Sequence, residues 1–233
     1  MPESSRQEKE ATEWLKNGIE FSKLGRFKEA LECFDRSLKL RAVDATTWHH
    51  RGLALMKLGM TKEAIASFNQ VLRIEPENKD AWYNKGVAFA MRGSFNEALE
   101  CYDHMLKANP KDDKALYGKG SALFSLGWYD QAMESLDQAT RMQPKNADAW
   151  RDRGLLLNKL GRFKEATSSL YESLKIEPQD SNAWYNMGVA FDELGDLSEA
   201  IRCYDNALKM DPAFKLAEDN RRLTKEKLKR KTN

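Results

Sequence analysis

Cysteine, histidine and long apolar runs are all scarce in this 233-residue chain, and each scarcity removes a class of protein. Its three cysteines, Cys33, Cys101 and Cys203, show no CxxC or Cys/His ligand spacing, so a zinc site is not expected. Among the three histidines, His49 and His50 are neighbours that would point apart on a helix, and His104 stands alone. No Asn-x-Ser/Thr acceptor occurs. Apolar runs such as Val87 to Met91 fall far short of the roughly 20 residues that a membrane-spanning helix needs. The opening MPESSRQEKE is polar and charged, without the apolar centre of a secretory signal. An excess of one charge is missing too. The 38 basic and 36 acidic side chains leave a net charge of +2, whereas a dedicated nucleic-acid binder calls for a domain pI above about 9. These absences predict a cytoplasmic protein with reduced thiols, no cofactor, no metal and no membrane span.

What is abundant is repetition. Glycine recurs at Gly18, Gly52, Gly86, Gly120, Gly154 and Gly188, and again at Gly25, Gly59, Gly93, Gly127, Gly161 and Gly195, a period of 34 residues without a slip. Alanine keeps the same register at Ala30, Ala64, Ala98, Ala132, Ala166 and Ala200. So does tryptophan, at Trp14, Trp48, Trp82, Trp150 and Trp184, with Leu116 the exception. Proline follows at Pro76, Pro110, Pro144, Pro178 and Pro212, with Ala42 standing in once. The cysteines share one column, so they fall on equivalent places of different repeats and disulfides between them are not expected.

Each column has a mechanical reason. The second glycine supplies a left-handed cap that ends a helix. Before it, Trp82, Gly86 and Phe89 lie on one helical stripe, where the small glycine admits a neighbouring helix. After it, Phe95, Ala98, Leu99, Tyr102, Met105 and Leu106 form one apolar face of a second helix, which proline then stops. Asp44, Asn78, Asp112, Asn146 and Asp180 are residue types that cap the start of the next helix. Ser5 with Glu8 is a candidate capping box for the first helix. A helix pair with one wide apolar face cannot bury it alone, so the pairs must stack.

With Trp, Gly, an aromatic, Ala, a second aromatic and Pro in that order at this period, the chain resembles the tetratricopeptide repeat (TPR) family. The resemblance implies an all-α fold, a right-handed alpha-alpha superhelix of stacked helix-turn-helix repeats. It divides the chain into a lead-in at 1–10, repeats at 11–44, 45–78, 79–112, 113–146, 147–180 and 181–214, and a capping helix with a basic tail at 215–233. One column departs from the family, which has leucine just before the first glycine. Asn17, Arg51, Lys85, Lys119, Arg153 and Met187 stand there, and the basic stems can lie along apolar surface with their charges in water. Repeat four is irregular, with Leu116 for tryptophan, Trp128 in its turn and an extra Gly118 inside its first helix. That glycine marks a candidate soft point, about 1 kcal/mol worse than alanine. Beyond Phe214, Glu218 and Arg222 break the tryptophan and glycine columns. The last helix is therefore expected to end the stack, with Leu216, Leu223 and Leu228 on its apolar side.

Tyr117-Gly-Lys-Gly-Ser121 has only the look of a phosphate loop, because its glycines are mid-helix and no strand precedes them. No serine, cysteine or lysine has a recognisable base and orienting partner, so an enzyme is not expected. In the family that this chain resembles, first helices line a concave groove that binds partners, chiefly through repeat positions two, five, six, nine, twelve and thirteen. Carried onto this chain, the resemblance marks His49, Leu53 and Met56, then Asp80, Tyr83, Asn84 and Val87, then Lys114, Tyr117 and Ser121. Further on it marks Arg151, Asp152, Leu155 and Asn158, then Asn182, Tyr185, Asn186 and Val189. It implies a non-catalytic scaffold or adaptor holding a peptide or helix of another protein. The competing reading is that Tyr83, Tyr117 and Tyr185 merely complete packing between repeats. The two-carboxylate clamp of chaperone-associated members is incomplete, since Asn84 and Lys114 fit it but His49, Leu53 and Gly118 do not. The alternative function is association with nucleic acid or an anionic surface through Arg221, Arg222, Lys225, Lys227, Lys229, Arg230 and Lys231.

Overall fold

The computed structural model describes the backbone of residues 3–232 and the side chains of residues 6–231. Among the described residues it contains thirteen helices and no strand. In order these are α1 (Glu3–Lys23), α2 (Phe27–Leu40), α3 (Ala45–Lys57), α4 (Thr61–Ile74), α5 (Lys79–Met91), α6 (Phe95–Ala108) and α7 (Asp113–Ser125). Then come α8 (Tyr129–Met142), α9 (Ala147–Lys159), α10 (Phe163–Ile176), α11 (Ser181–Glu193), α12 (Leu197–Met210) and α13 (Lys215–Thr232). Because α1 already begins at Glu3, Ser5 lies inside its first turn and not at its N-cap, and the capping-box expectation fails. The side chain of Ser5 lies outside the described residues.

Helix ends follow the columns. The glycines after α1, α3, α5, α7, α9 and α11 all have φ between 71° and 80°. The following N–H reaches back to the carbonyl five residues earlier, as from Ser94 to Phe89 at 2.9 Å, which closes the last turn. At the N-termini, the side chains of Asn78, Asp112 and Asn146 accept from Ala81, Ala115 and Ala149 N–H, and Asp180 accepts from Asn182 and Ala183. Asp44 departs from its column, with no side-chain bond to the helix backbone. Its carboxylate takes the Thr47 hydroxyl and the Arg41 guanidinium instead, because Thr47 offers a donor where repeats three to six have alanine.

The chain forms two compact units, residues 1–122 and 123–233. In the first, α1 packs on α2, α3 on α4 and α5 on α6, while α2 also packs on α3 and α4 on α5. Alternate first helices, α1 with α3 and α3 with α5, meet directly, whereas the second helices do not meet one another. First helices therefore crowd the inner side of the unit. The second unit is built likewise, with α9 meeting α11 and α11 meeting α13.

Gly18, Gly52, Gly86, Gly154 and Gly188 of the first glycine column are each a seat for a second-helix side chain. A Cβ added at Gly18 would come within 2.5 Å of the Phe34 ring, and one at Gly86 within 2.7 Å of Tyr102. Tyr102 also fills the seat at Gly118, where a Cβ would lie 2.6 Å from its ring, so Gly118 is a packing requirement and not a soft point. The tryptophans are half-buried. Indole N–H groups of Trp48, Trp82, Trp150 and Trp184 donate to the carbonyls of Ala42, Pro76, Pro144 and Pro178 at 2.8–3.0 Å, joining two columns of the sequence.

The departing basic column does more than keep its charges wet. Arg51 bonds Asp35 and Ser67, both at 2.8 Å, and Arg153 bonds Asp137 at 2.6 Å and Ser169 at 2.5 Å. Lys119 reaches Asp103 at 2.7 Å and Arg221 reaches Asp205 at 2.8 Å. Each aspartate lies on the second helix sixteen residues earlier and each serine on the one sixteen residues later, so Arg51 and Arg153 bridge two second helices.

The last helix also corrects its expectation. Leu216 and Leu223 are 59% and 47% exposed, while Ala217 and Thr224 are fully buried. Ala217 keeps the repeat position of Ala183, and Thr224 that of Ala190, so α13 docks on α11 and α12 in the register of a seventh first helix. Its buried stripe is chosen by register, with small residues that admit close approach; Leu216 and Leu223 fall outside it, and Leu228, half-buried, lies along it.

Candidate functional site

In residues 1–122 the candidate side chains lie on α3, α5 and α7. His49, Leu53, Tyr83, Asn84, Val87, Tyr117 and Ser121 are half-buried, and Lys114 is exposed. Asn84 and His49 are joined across α5 and α3 by a hydrogen bond of 3.0 Å between Nδ2 and Nε2. Burial holds the pKa values of His49 and His50 below the ordinary imidazole value, which favours the neutral ring that accepts this bond. Lys114 lies with its ammonium 5.8 Å from the centre of the Tyr83 ring, and Tyr83 leans on Tyr102 at 6.1 Å. The result is an aromatic and amide row whose members are already held by neighbours.

In residues 123–233 the candidates lie on α9 and α11, and their chemistry differs. Arg151 is surrounded by Asp148 at 2.6 Å, Asp180 at 3.0 Å and Asp152 at 3.3 Å. Burial alone would lower its pKa, but Asp152, Asp180 and Asp148 outweigh burial and raise it. Asn158 donates from Nδ2 to the Asn186 carbonyl at 2.9 Å, while its Oδ1 is buried without a partner. Asn186 turns back to the Asn182 carbonyl at 2.9 Å. The Tyr185 ring packs 5.0 Å from Phe214 and 5.9 Å from Tyr204, and its hydroxyl is met by Asn220 at 3.3 Å. Packing thus accounts for much of what Tyr185 does. Leu155 and Val189 are half-buried beside these groups, and Asn182 is exposed.

Sequence reasoning missed the three carboxylates around Arg151 as a group, and it missed the part of α13 in this face. A cavity of about 420 Å³ lies there, with Val189, Asp192, Glu193, Tyr204, Asn220 and Leu223 among its walls. The signal was available, since α13 keeps the repeat register after the tryptophan and glycine columns have stopped.

Nothing in these faces is poised for covalent chemistry. All three thiols are buried and free, and burial pushes Cys101 up to about 11 and Cys203 up to about 12, so neither forms a thiolate near neutral pH. Among the described residues no group of His, Cys, Asp and Glu is arranged to hold a metal ion, and no helix is long and apolar enough to cross a membrane.

Several solved structures share this fold. YrrB, described as a TPR protein with an unusual peptide-binding site, is 21% identical, covering 82% of this chain and 99% of that one with a TM-score of 0.62. The type IV pilus biogenesis factor PilW is 17% identical, covering 90% of this chain and 97% of its own with a TM-score of 0.80. In the APC/C hetero-tetramer Cut9–Hcn1 the likeness is 18% identity at a TM-score of 0.81, over 92% of this chain but only 42% of that one. At such identities the likeness concerns the fold. Curated protein sequences give no match. Residues 7–44 match the tetratricopeptide repeat family, whose fold generally mediates protein–protein interaction and is generally not catalytic. Residues 37–229 match the family described as the cilia and flagella-associated protein 70 C-terminal domain, and with the 34-residue columns and the helix pairs they form, the chain belongs to that family of TPR proteins.

Proposed function

We propose that the chain is a non-catalytic adaptor whose first-helix faces hold a peptide or helix of another protein. The observation that carries this reading is the row Tyr83, Asn84, Val87 and Tyr117, half-buried on adjacent first helices. Side chains already held by neighbours lose little freedom when a partner arrives, so more of the contact energy remains for binding. The peptide-binding site described for YrrB, which has the same fold, supports the class. The basic tail is a weaker candidate, because Arg221, Arg222 and Lys227 are drawn onto Asp205, Asp219 and Asp192. Three buried, unpaired thiols suit a reducing cytoplasm.

The partner class excludes the acidic C-terminal peptides of heat-shock chaperones. His49, Leu53 and Gly118 supply none of the required cationic or amide donors, and the Asn84 amide is engaged by His49. Calorimetric titration with such a peptide should give no binding heat, and binding that disappears in Lys114→Ala would overturn this exclusion. The Tyr83→Ala/Tyr117→Ala double variant should keep its helical circular dichroism and lose the partner that the unaltered chain captures from cell lysate. A double variant that captures the same partner equally well ends the groove reading.

A further inference from the structure

The two units present first-helix faces of opposite charge. At the six groove positions of their first helices, residues 1–122 carry Lys16, Lys23, Lys57 and Lys114 against Asp80. The same positions of α9, α11 and the in-register α13 carry Asp148, Asp152, Asp192, Glu193, Asp219 and Glu226. Only Arg151, Lys159 and Lys227 oppose them. Lys227 with Asp192 at 2.9 Å and Arg222 with Asp219 at 3.3 Å cancel in pairs, while Arg151 is shared among Asp148, Asp152 and Asp180, so the negative charge of this face rests on those three carboxylates and on Glu193 and Glu226.

A second observation is independent of this count. The Tyr204 side chain is fully buried and lines the 420 Å³ cavity beside Asn220, whose amide donates to Tyr185 at 3.3 Å and leaves the Tyr204 hydroxyl without a partner of full hydrogen-bond geometry. The Oδ1 of Asn158 is likewise buried and unpaired, on the same face. A buried oxygen without a donor costs stability until one is supplied. Val189 and the exposed part of Leu223 line the cavity beside Glu193 and Glu226, with Arg230 the one further cation on its wall. Its volume is many times the roughly 30 Å³ of one water molecule, so a whole side chain can enter. Apolar walls, an anionic rim and the Tyr204 hydroxyl describe the complement of an aliphatic stem that ends in a cationic donor.

We infer that the first-helix face of residues 123–233 recognises a basic segment of a partner protein, inserting a lysine or arginine between α11 and α13. This rests on the reading of the first-helix faces as the binding surface. Overall charge cannot substitute for it, because a chain of net charge +2 does not attract cations as a whole.

The test uses the full chain and three probes at about 0.15 M salt: a short leucine–lysine amphipathic peptide, its leucine–glutamate counterpart, and spermine. Fluorescence anisotropy should show the lysine peptide binding at least tenfold more tightly than the glutamate peptide. Glu193→Gln/Glu226→Gln changes two exposed side chains and should weaken the lysine peptide about three- to tenfold. Tyr204→Phe, which keeps the ring, should weaken it as well. Equal affinity for the two peptides, indifference to both variants, or spermine competing as strongly as the lysine peptide would each overturn the assignment. Photo-crosslinks from the lysine peptide should fall on α9, α11 and α13. If the lysine peptide fails to bind while partner capture still depends on Tyr83 and Tyr117, the basic assignment alone falls. If it crosslinks to second helices instead, the first-helix reading falls with it.

Discussion

Phe34, Phe68 and Tyr102 fill glycine seats in residues 1–122, whereas in residues 123–233 the seat at Gly154 holds Leu170 and the one at Gly188 holds Tyr204. All three histidines also belong to the first unit. The same glycine columns, cap positions and turns run through both. The comparison teaches that the repeat register sets the backbone while leaving side-chain stiffness and charge free to differ from seat to seat. A flat ring can leave its seat only by turning as a whole, while leucine can change rotamer.

The largest contrast should come from filling equivalent seats. In Gly86→Ala the new methyl meets the Tyr102 ring at 2.7 Å, and that ring is hemmed in by Gly118 on the neighbouring first helix. A loss of roughly 1–3 kcal/mol is expected on chemical denaturation. In Gly154→Ala the new methyl meets the branch of Leu170 at 2.5 Å. There the strain should be smaller, and about 1 kcal/mol of gained helix propensity offsets it. Equal losses in the two variants would show that the leucine seat is as rigid as the ring seat.

Acidification separates the units more gently. Burial lowers the pKa values of His49 and His50, opposed by Asp80 and Glu75 around His49 and by Asp44 near His50, while each ring also lies beside the other. Folding therefore favours the neutral rings. Their contribution is fully present above the unfolded-state value near 6.5 and is lost as pH falls through the lowered folded values. Hydrogen exchange corrected for its intrinsic pH dependence should show protection in α3 to α5 falling by up to about tenfold between pH 7 and pH 5. Helices α9 to α12, which hold no histidine, should hardly change. A loss of the same size in both units would remove histidine as the cause.

The smallest difference lies in the basic column. Arg153→Met should cost about 1 kcal/mol or less, since Asp137 and Ser169 both lose a partner, and Lys119→Met should cost less because only Asp103 does. The chain itself places Met187 in this column. Thermal midpoints in low and high salt check it, and the gap between the variants should narrow as salt rises.

The parts of the fold that were legible in the sequence are those fixed within one helix or one turn. Gly93 at positive φ, Asn78 accepting from Ala81 and the proline stops all depend on residues a few positions apart. What escaped depends on pairs brought together by stacking. Arg153 with Asp137 spans sixteen residues and two helices, so no helical period points to it. Gly118 reads as a weakness until Tyr102, also sixteen residues away, is seen in its seat. In α13, reading apolar residues as the buried side pointed to the leucines, whereas close packing selected Ala217 and Thr224. The candidate site was legible as a set of helix positions. Its chemistry was not, because the state of Arg151 is decided by Asp180 twenty-nine residues away and that of Asn84 by His49 thirty-five residues away.

The bond from tryptophan indole to the carbonyl six residues earlier has a spectroscopic consequence. Each such bond crosses a seam, running from the first helix of one repeat to the closing turn of the repeat before it. Trp48, Trp82, Trp150 and Trp184 thereby place one exchangeable indole proton at each of four seams, in a region of the nuclear magnetic resonance spectrum clear of backbone amides. Trp128, half exposed at a turn, supplies the freely exchanging standard in the same sample. A single isotopic label on tryptophan would therefore report the order in which neighbouring repeats part company.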